Sequence, residues 1–187
     1  MTEQNNVTLV EVRVERIGQL FDTLDPTPYP RKDLAQTPEA FIVGWARELP
    51  RRQPIGIVVY LPTKEAESAA AQQLDDAFST YFQYRADRLR LDRKELFRVG
   101  GWSLLIGLSV LALCMVIGQV ISGQSETSYL NRFFREGLII LGWVANWRPM
   151  EIFLYEWLPL ERQRRLYRRL SEARIEVRSY AAEPIVI

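Results

Sequence analysis

The sequence predicts an α+β protein in which a small cytoplasmic sheet-and-helix domain sends a long helix into a two-helix transmembrane hairpin. Three observations carry that prediction. Apolar residues alternate with charged ones over Val7 to Glu15 and run almost unbroken over Ile55 to Leu61, the patterns of a half-buried strand and a central one. Helical apolar spacing begins at Thr63 and passes without a stop signal into Val99 to Ile121, a stretch with no charged residue. A second apolar stretch, Gly137 to Leu158, is again long enough to cross a hydrocarbon core of about 30 Å.

Composition narrows the chemistry. The net charge of +1 conceals a segregated chain of 187 residues, apolar in the two stretches and dense in arginine beside them. Histidine is absent, which removes the commonest general base and the usual zinc ligand. The single cysteine, Cys114, lies inside the first apolar run and reads as a buried or lipid-facing thiol, so neither an intrachain disulfide nor a thiolate metal site is expected. No Walker loop, dinucleotide fingerprint or nucleophile elbow occurs. The expectation is a protein that is not an enzyme, with no catalytic residue, cofactor or metal. The first dozen residues lack a basic segment followed by an apolar one, so insertion is expected to use the internal spans.

In chain order, residues 1–62 form the cytoplasmic α+β region. Val10, Val12 and Val14 point one way and Glu11, Arg13 and Glu15 the other, so the first strand belongs to a sheet covered on one side. Ile17, Leu20 and Phe21 predict a short turn of helix. Pro26, Pro28 and Pro30 then force an extended loop, read as a stiff connector or a docking segment, with Asp22, Asp25 and Asp33 around it as turn residues. Thr37-Pro38-Glu39 predicts a helix start, with Thr37 as cap, proline in the first position and an acid facing the positive end of the dipole. That helix should end by Pro50, with Phe41, Trp45 and Leu49, and Ile42 and Ala46 beside them, as one stripe packed on the sheet and Trp45 in the core. Ile55 to Leu61, bounded by prolines, is the central strand and completes a βαβ-like beginning.

Residues 63–98 are expected to form one helix that continues into the first transmembrane helix, 99–122, with Trp102 at the basic interface and Gly100-Gly101 as a kink point. Ser103, Gly107 and Gly118 are its small helix-contact positions. The connector 123–136 should be extracytoplasmic, because it holds only Arg132 and Arg135. Arg85 to Arg98 precede the first span and Arg162 to Arg169 follow the second, which places both termini in the cytoplasm. Within these runs Arg93, Lys94, Arg98, Arg162, Arg164 and Arg165 are candidates for anionic lipid headgroups. Nucleic acid is not an expected partner, since acids interrupt the basic runs. Residues 159–187 return to the first domain as a basic helix and a strand, Arg174 to Arg178, with Ile175 and Val177 inward. The sheet is thus expected to be assembled from both ends of the chain.

The second transmembrane helix, 137–158, carries polar residues where an anchor would carry leucine: Asn146, Arg148, Pro149, Glu151 and Glu156. Pro149 has no N–H for the Ala145 carbonyl, so a kink is expected there, with Asn146 or Arg148 as substitute donor. Arg148 and Glu151, three apart, should pair on one helix face, and Glu156 should meet Arg162 or a headgroup amine. Three readings remain open for this group: a snorkelling arginine followed by an interfacial helix, an ion pair that fixes packing, and a transport relay.

Several phrases of the chain go together: Leu20-Phe21-Asp22 with Leu24-Asp25-Pro26, Ala46-Arg47-Glu48-Leu49-Pro50, and Trp147-Arg148-Pro149-Met150-Glu151 leading to Phe153-Leu154-Tyr155-Glu156-Trp157. They resemble a family of uncharacterised bacterial inner-membrane proteins with two spans and a cytoplasmic N-terminal region. The resemblance covers most of the chain, implies that topology and implies no activity. The expected function is a non-catalytic, homo-oligomeric membrane scaffold or assembly protein with a lipid bilayer and a cytoplasmic protein as partners. The alternative is a small channel or transporter subunit using Arg148 and Glu151.

Overall fold

The computed structural model describes residues 8–22, 32–50, 53–122 and 129–180. The proline loop and Asp25 lie outside them. The chain divides into two compact units, Met1–Arg88 with Gln163–Ile187, and Leu89–Arg162.

The first unit holds a three-stranded sheet, β1 (Thr8–Arg13), β2 (Ile55–Pro62) and β3 (Arg174–Tyr180), with β2 in the middle and every pair parallel. Parallel neighbours need crossovers, and α1 (Gln36–Glu48) supplies the first. The register aligns Val10 with Ile57 and Ile175, and Val12 with Val59 and Val177, so one face of the sheet is aliphatic. The opposite face aligns Glu11 with Val58 and Glu176, and Arg13 with Tyr60 and Arg178. The alternation in β1 and β3 therefore sets one dry face and one charged face. On the dry side Val10, Ile57, Ile42, Phe78, Phe82 and Leu170 are fully buried. A 3₁₀ turn, Ile17–Leu20, precedes an antiparallel bridge between Phe21 and Leu34 that joins the two sides of the proline loop.

Two boundaries and one buried face differ from the sequence reading. α1 starts at Gln36 with Ala35 as its cap, so Thr37 is not the cap and Pro38 is the third helical residue, still within the turn whose N–H groups need no intrahelical partner. Its buried stripe is Ile42, Val43 and Ala46, so of the expected stripe Ile42 and Ala46 face the core, while Phe41 and Trp45 are 45% and 51% exposed. The helix expected from Thr63 is broken into α2 (Thr63–Ala66), α3 (Ala69–Gln72) and α4 (Leu74–Ser122). Ser68 makes the first break, because its hydroxyl donates to the Glu65 carbonyl at 2.6 Å and accepts from the Ala71 N–H at 3.2 Å, ending one turn and capping the next. At the start of β3 the Ile175 N–H donates to the Asp75 carboxylate at 3.2 Å, and Ser79 donates to the Ser171 carbonyl at 2.9 Å.

α4 is one helix of 49 residues, uninterrupted at Gly100 and Gly101, and its Leu74–Val120 stretch is the one helix among the described residues long and apolar enough to cross a membrane. In the second unit it faces α5 (Tyr129–Ala145), which begins inside the expected connector and has 17 residues, roughly 25 Å at ~1.5 Å per residue. The expected second span is therefore not a single helix over 137–158. It breaks at Asn146, resumes as α6 (Trp147–Glu151), widens into a π-helical turn over Ile152–Glu156, and continues as α7 (Trp157–Ser171).

Candidate functional site

The small residues of α4 set how closely the returning segment approaches. Gly100, Gly107, Cys114 and Gly118 are all buried, and the first three recur every seven residues, which keeps them on one face. A Cβ on Gly107 would lie 2.7 Å from the Asn146 Oδ1 and 2.9 Å from the Ala145 carbonyl oxygen. One on Gly100 would lie 2.8 Å from Ile152, and one on Gly142 would lie 2.5 Å from Leu111. At Gly118 the nearest neighbour is Arg135 at 3.6 Å, an ordinary contact, and Ser103 is half-buried on α4. These pairs run in opposite directions along the two segments, so the helices are antiparallel.

Asn146 is the polar centre of that contact, 7% exposed. Its amide nitrogen donates to the Gly107 carbonyl at 3.0 Å and to the Gly142 carbonyl at 2.9 Å. Asn146 thus does not serve the Ala145 carbonyl, as the sequence reading had it. That carbonyl and the Asn146 Oδ1 both face the Gly107 Cα, an arrangement suited to weak Cα–H···O contacts. The break also sits three residues before Pro149. Proline falls in the first turn of α6, where a missing N–H costs nothing.

Arg148 points the other way, 59% exposed on the outer flank of α6. Its guanidinium donates to Glu151 at 3.0 Å and to Glu156, not to the Ala145 carbonyl, and Glu156 meets Arg148 in place of Arg162. Eight residues apart on an α-helix are roughly 80° out of line by the ~3.6-residue repeat. The π turn winds more slowly and swings Glu156 back beneath Arg148. The triad therefore depends on the π turn, which no local sequence pattern announced. Trp143, Val144, Trp147, Arg148 and Met150 line a shallow groove of about 490 Å³ on the same flank.

The basic end of this unit is stitched. Phe97 stacks on Phe153 with ring centres 5.8 Å apart and approaches Trp157 at 6.4 Å, and Arg93 donates to the buried Glu161 at 2.7 Å. Arg93, a headgroup candidate in the sequence, thus also pairs with that carboxylate, and its side chain is 30% exposed. Arg98 pairs loosely with Glu95 at 3.4 Å, while Lys94, Arg162 and Arg165 are exposed and Arg164 is half-buried.

In the first unit a charged cluster appears that sequence reasoning missed. The Glu39 carboxylate accepts from Arg85 at 2.8 and 3.0 Å and from the Tyr167 hydroxyl at 2.8 Å. It ties α1 to α4 and α7. Burial first, and then the Glu39 carboxylate, raise the phenols of Tyr81 and Tyr167 above the usual tyrosine value. Glu39 had been read as a helix-start acid. Its partners are 46 and 128 residues away, so nothing local pointed to them. Around α1 the outward side carries Phe41 and Trp45, with rings 6.3 Å apart.

Comparison with protein-family models, curated proteins and solved structures finds no match for this chain. Among the described residues no group of His, Cys, Asp and Glu is arranged to hold a metal ion.

Proposed function

We propose that the protein is a non-catalytic, homo-oligomeric scaffold anchored in a membrane by the α4–α5 helix pair, with the three-stranded unit and both termini on the cytoplasmic side. The proposal keeps the topology of the two-span inner-membrane family that the sequence resembles. What supports the anchor is a belt of large apolar side chains turned outward on both helices, including Leu105, Ile106, Leu113, Val116, Ile140 and Trp143, each more than half exposed. Arg132 and Glu136 pair at 3.0 Å near the start of α5, and the arginine-rich segments lie at the other end of the pair. Arg148 lies two residues beyond the Asn146 that meets Gly107. It therefore sits roughly 9 Å inside the Val99 end of the apolar run at ~1.5 Å per residue, within snorkelling reach of headgroups.

The observation that carries the scaffold reading is the exposed Phe41–Trp45 pair. Two large aromatic rings turned to solvent on a helix whose other face is fully buried mark a contact surface. A symmetric pairing of α1 with α1 of a second copy covers both rings with like surface, as an isologous contact requires. Crosslinking in native membranes followed by mass determination tests the proposal. The expected product is a multiple of the 21.8 kDa chain. A strictly monomeric product would sink it.

A further inference from the structure

We infer that the outer flank of α6 and the π turn is a binding site for one aminophospholipid, a lipid carrying both a phosphate and a primary ammonium, of which phosphatidylethanolamine is the simplest. The inference rests on the membrane reading above but not on oligomerisation.

Charge complementarity selects this occupant. Arg148 is shared by two carboxylates, so the triad carries one negative charge in excess. Three of the five guanidinium N–H groups serve Glu151 and Glu156, which leaves two donors for a phosphate. The surplus carboxylate faces outward too, since Glu151 is 46% exposed at its side chain. A cation there that also brings an anion for the arginine is a zwitterion, and a primary ammonium donates three hydrogen bonds where a quaternary one donates none.

Geometry supplies the rest. The groove along Trp143, Val144, Trp147 and Met150 is an apolar trough that Arg148 also lines, so one lipid places its glycerol and upper acyl carbons on the tryptophans while its headgroup meets the triad. A second copy of the chain is the competing occupant. An isologous contact would bring two surplus negative charges together, which disfavours it. The π turn has a function on this reading, because without it Glu156 would point away from the headgroup.

The test is native mass spectrometry of the full chain released from mixed micelles holding equal amounts of phosphatidylethanolamine, phosphatidylcholine and phosphatidylglycerol. One phosphatidylethanolamine should remain bound with roughly tenfold preference over either competitor, the ratio of one charge-assisted bond. In Glu151→Gln and Glu156→Gln that preference should fall to parity with phosphatidylcholine. Arg148→Gln should lower retention of all three. Equal retention of the lipids by the wild-type chain, preference for phosphatidylcholine through cation–π contact with the tryptophans, or a preference that survives both glutamine variants would overturn the inference. So would a lipid-free dimer that Glu156→Gln dissociates. Alkaline extraction of native membranes separates the two ideas: a chain that leaves with the soluble fraction refutes the anchor, whereas one that stays in the bilayer without lipid selectivity refutes only this site.

Discussion

Gly107 and Asn146 form a reciprocal contact in which each residue type is required. Asn146 needs a backbone close enough to receive its amide, and only a residue without Cβ lets the Gly107 backbone come that near. Gly107→Ala should therefore push the segments apart and cost about 1–3 kcal/mol, as overpacking does. Gly101→Ala, where nothing lies within 4 Å of the new methyl, should be neutral or slightly stabilising. Unfolding of both variants in detergent checks the contrast, and equal loss would contradict the packing described. Glu39 has the corresponding role in the other unit. Glu39→Gln keeps the shape but removes the charge that Arg85 and two phenols address, and should lower stability by about 1–3 kcal/mol. The same cluster predicts an alkaline transition. Both tyrosines have folded values raised above about 10, so the folded state holds protons that the unfolded chain releases there. Stability is then complete below pH ~10 and falls as pH rises beyond it. Phenolate absorbance followed alongside circular dichroism should show these two groups ionising with unfolding, and ionisation near pH 10 in an intact fold would contradict the assignment.

At the scale of elements, α1 shows how a periodic pattern can leave its inward edge undecided. Phe41, Trp45 and Leu49 repeat every four residues, and Ile42 and Ala46 do so one position along, so the two rows lie side by side on the helix. Packing selects the row of smaller side chains, Ile42, Val43 and Ala46, and leaves the aromatic row half-exposed. Trp45→Ser should leave stability within about 0.5 kcal/mol, as for an exposed side chain, while abolishing the crosslinked multimer. A large loss of stability would instead make Trp45 structural. Ser68 carries the complementary lesson. A serine within a helical pattern is compatible with continuation, and only its bonds to Glu65 and Ala71 show that the chain stops and restarts. β3 is the element read best: Ile175 and Val177 share the dry face with Ile57 and Val59, in line with the alternation.

For the whole molecule, the proposed anchor and the channel alternative differ in where they need charge within the second unit. Among the described residues Asn146 is buried against α4, neutral and bonded to two carbonyls, while Arg148 and Glu151 are exposed. Proteoliposomes holding the wild-type chain should therefore pass ions no faster than empty vesicles, with Arg148→Leu and Glu151→Gln indistinguishable from it. Flux that the variants reduce would support the channel alternative. Alternation, β-branched runs and uncharged length, read along the sequence alone, determined that there is a mixed sheet-and-helix unit, that both ends of the chain contribute strands to it, and that one helix is fit to cross a bilayer. Those features are periodic and local, so the order of residues carries them. Tertiary structure alone decided the parallel direction of β3, the face of α1, the Glu39 cluster, the break at Asn146 and the turn that brings Glu156 to Arg148. Each depends on which surfaces meet across dozens of residues, and packing energy between distant segments leaves no local trace in the order of the chain.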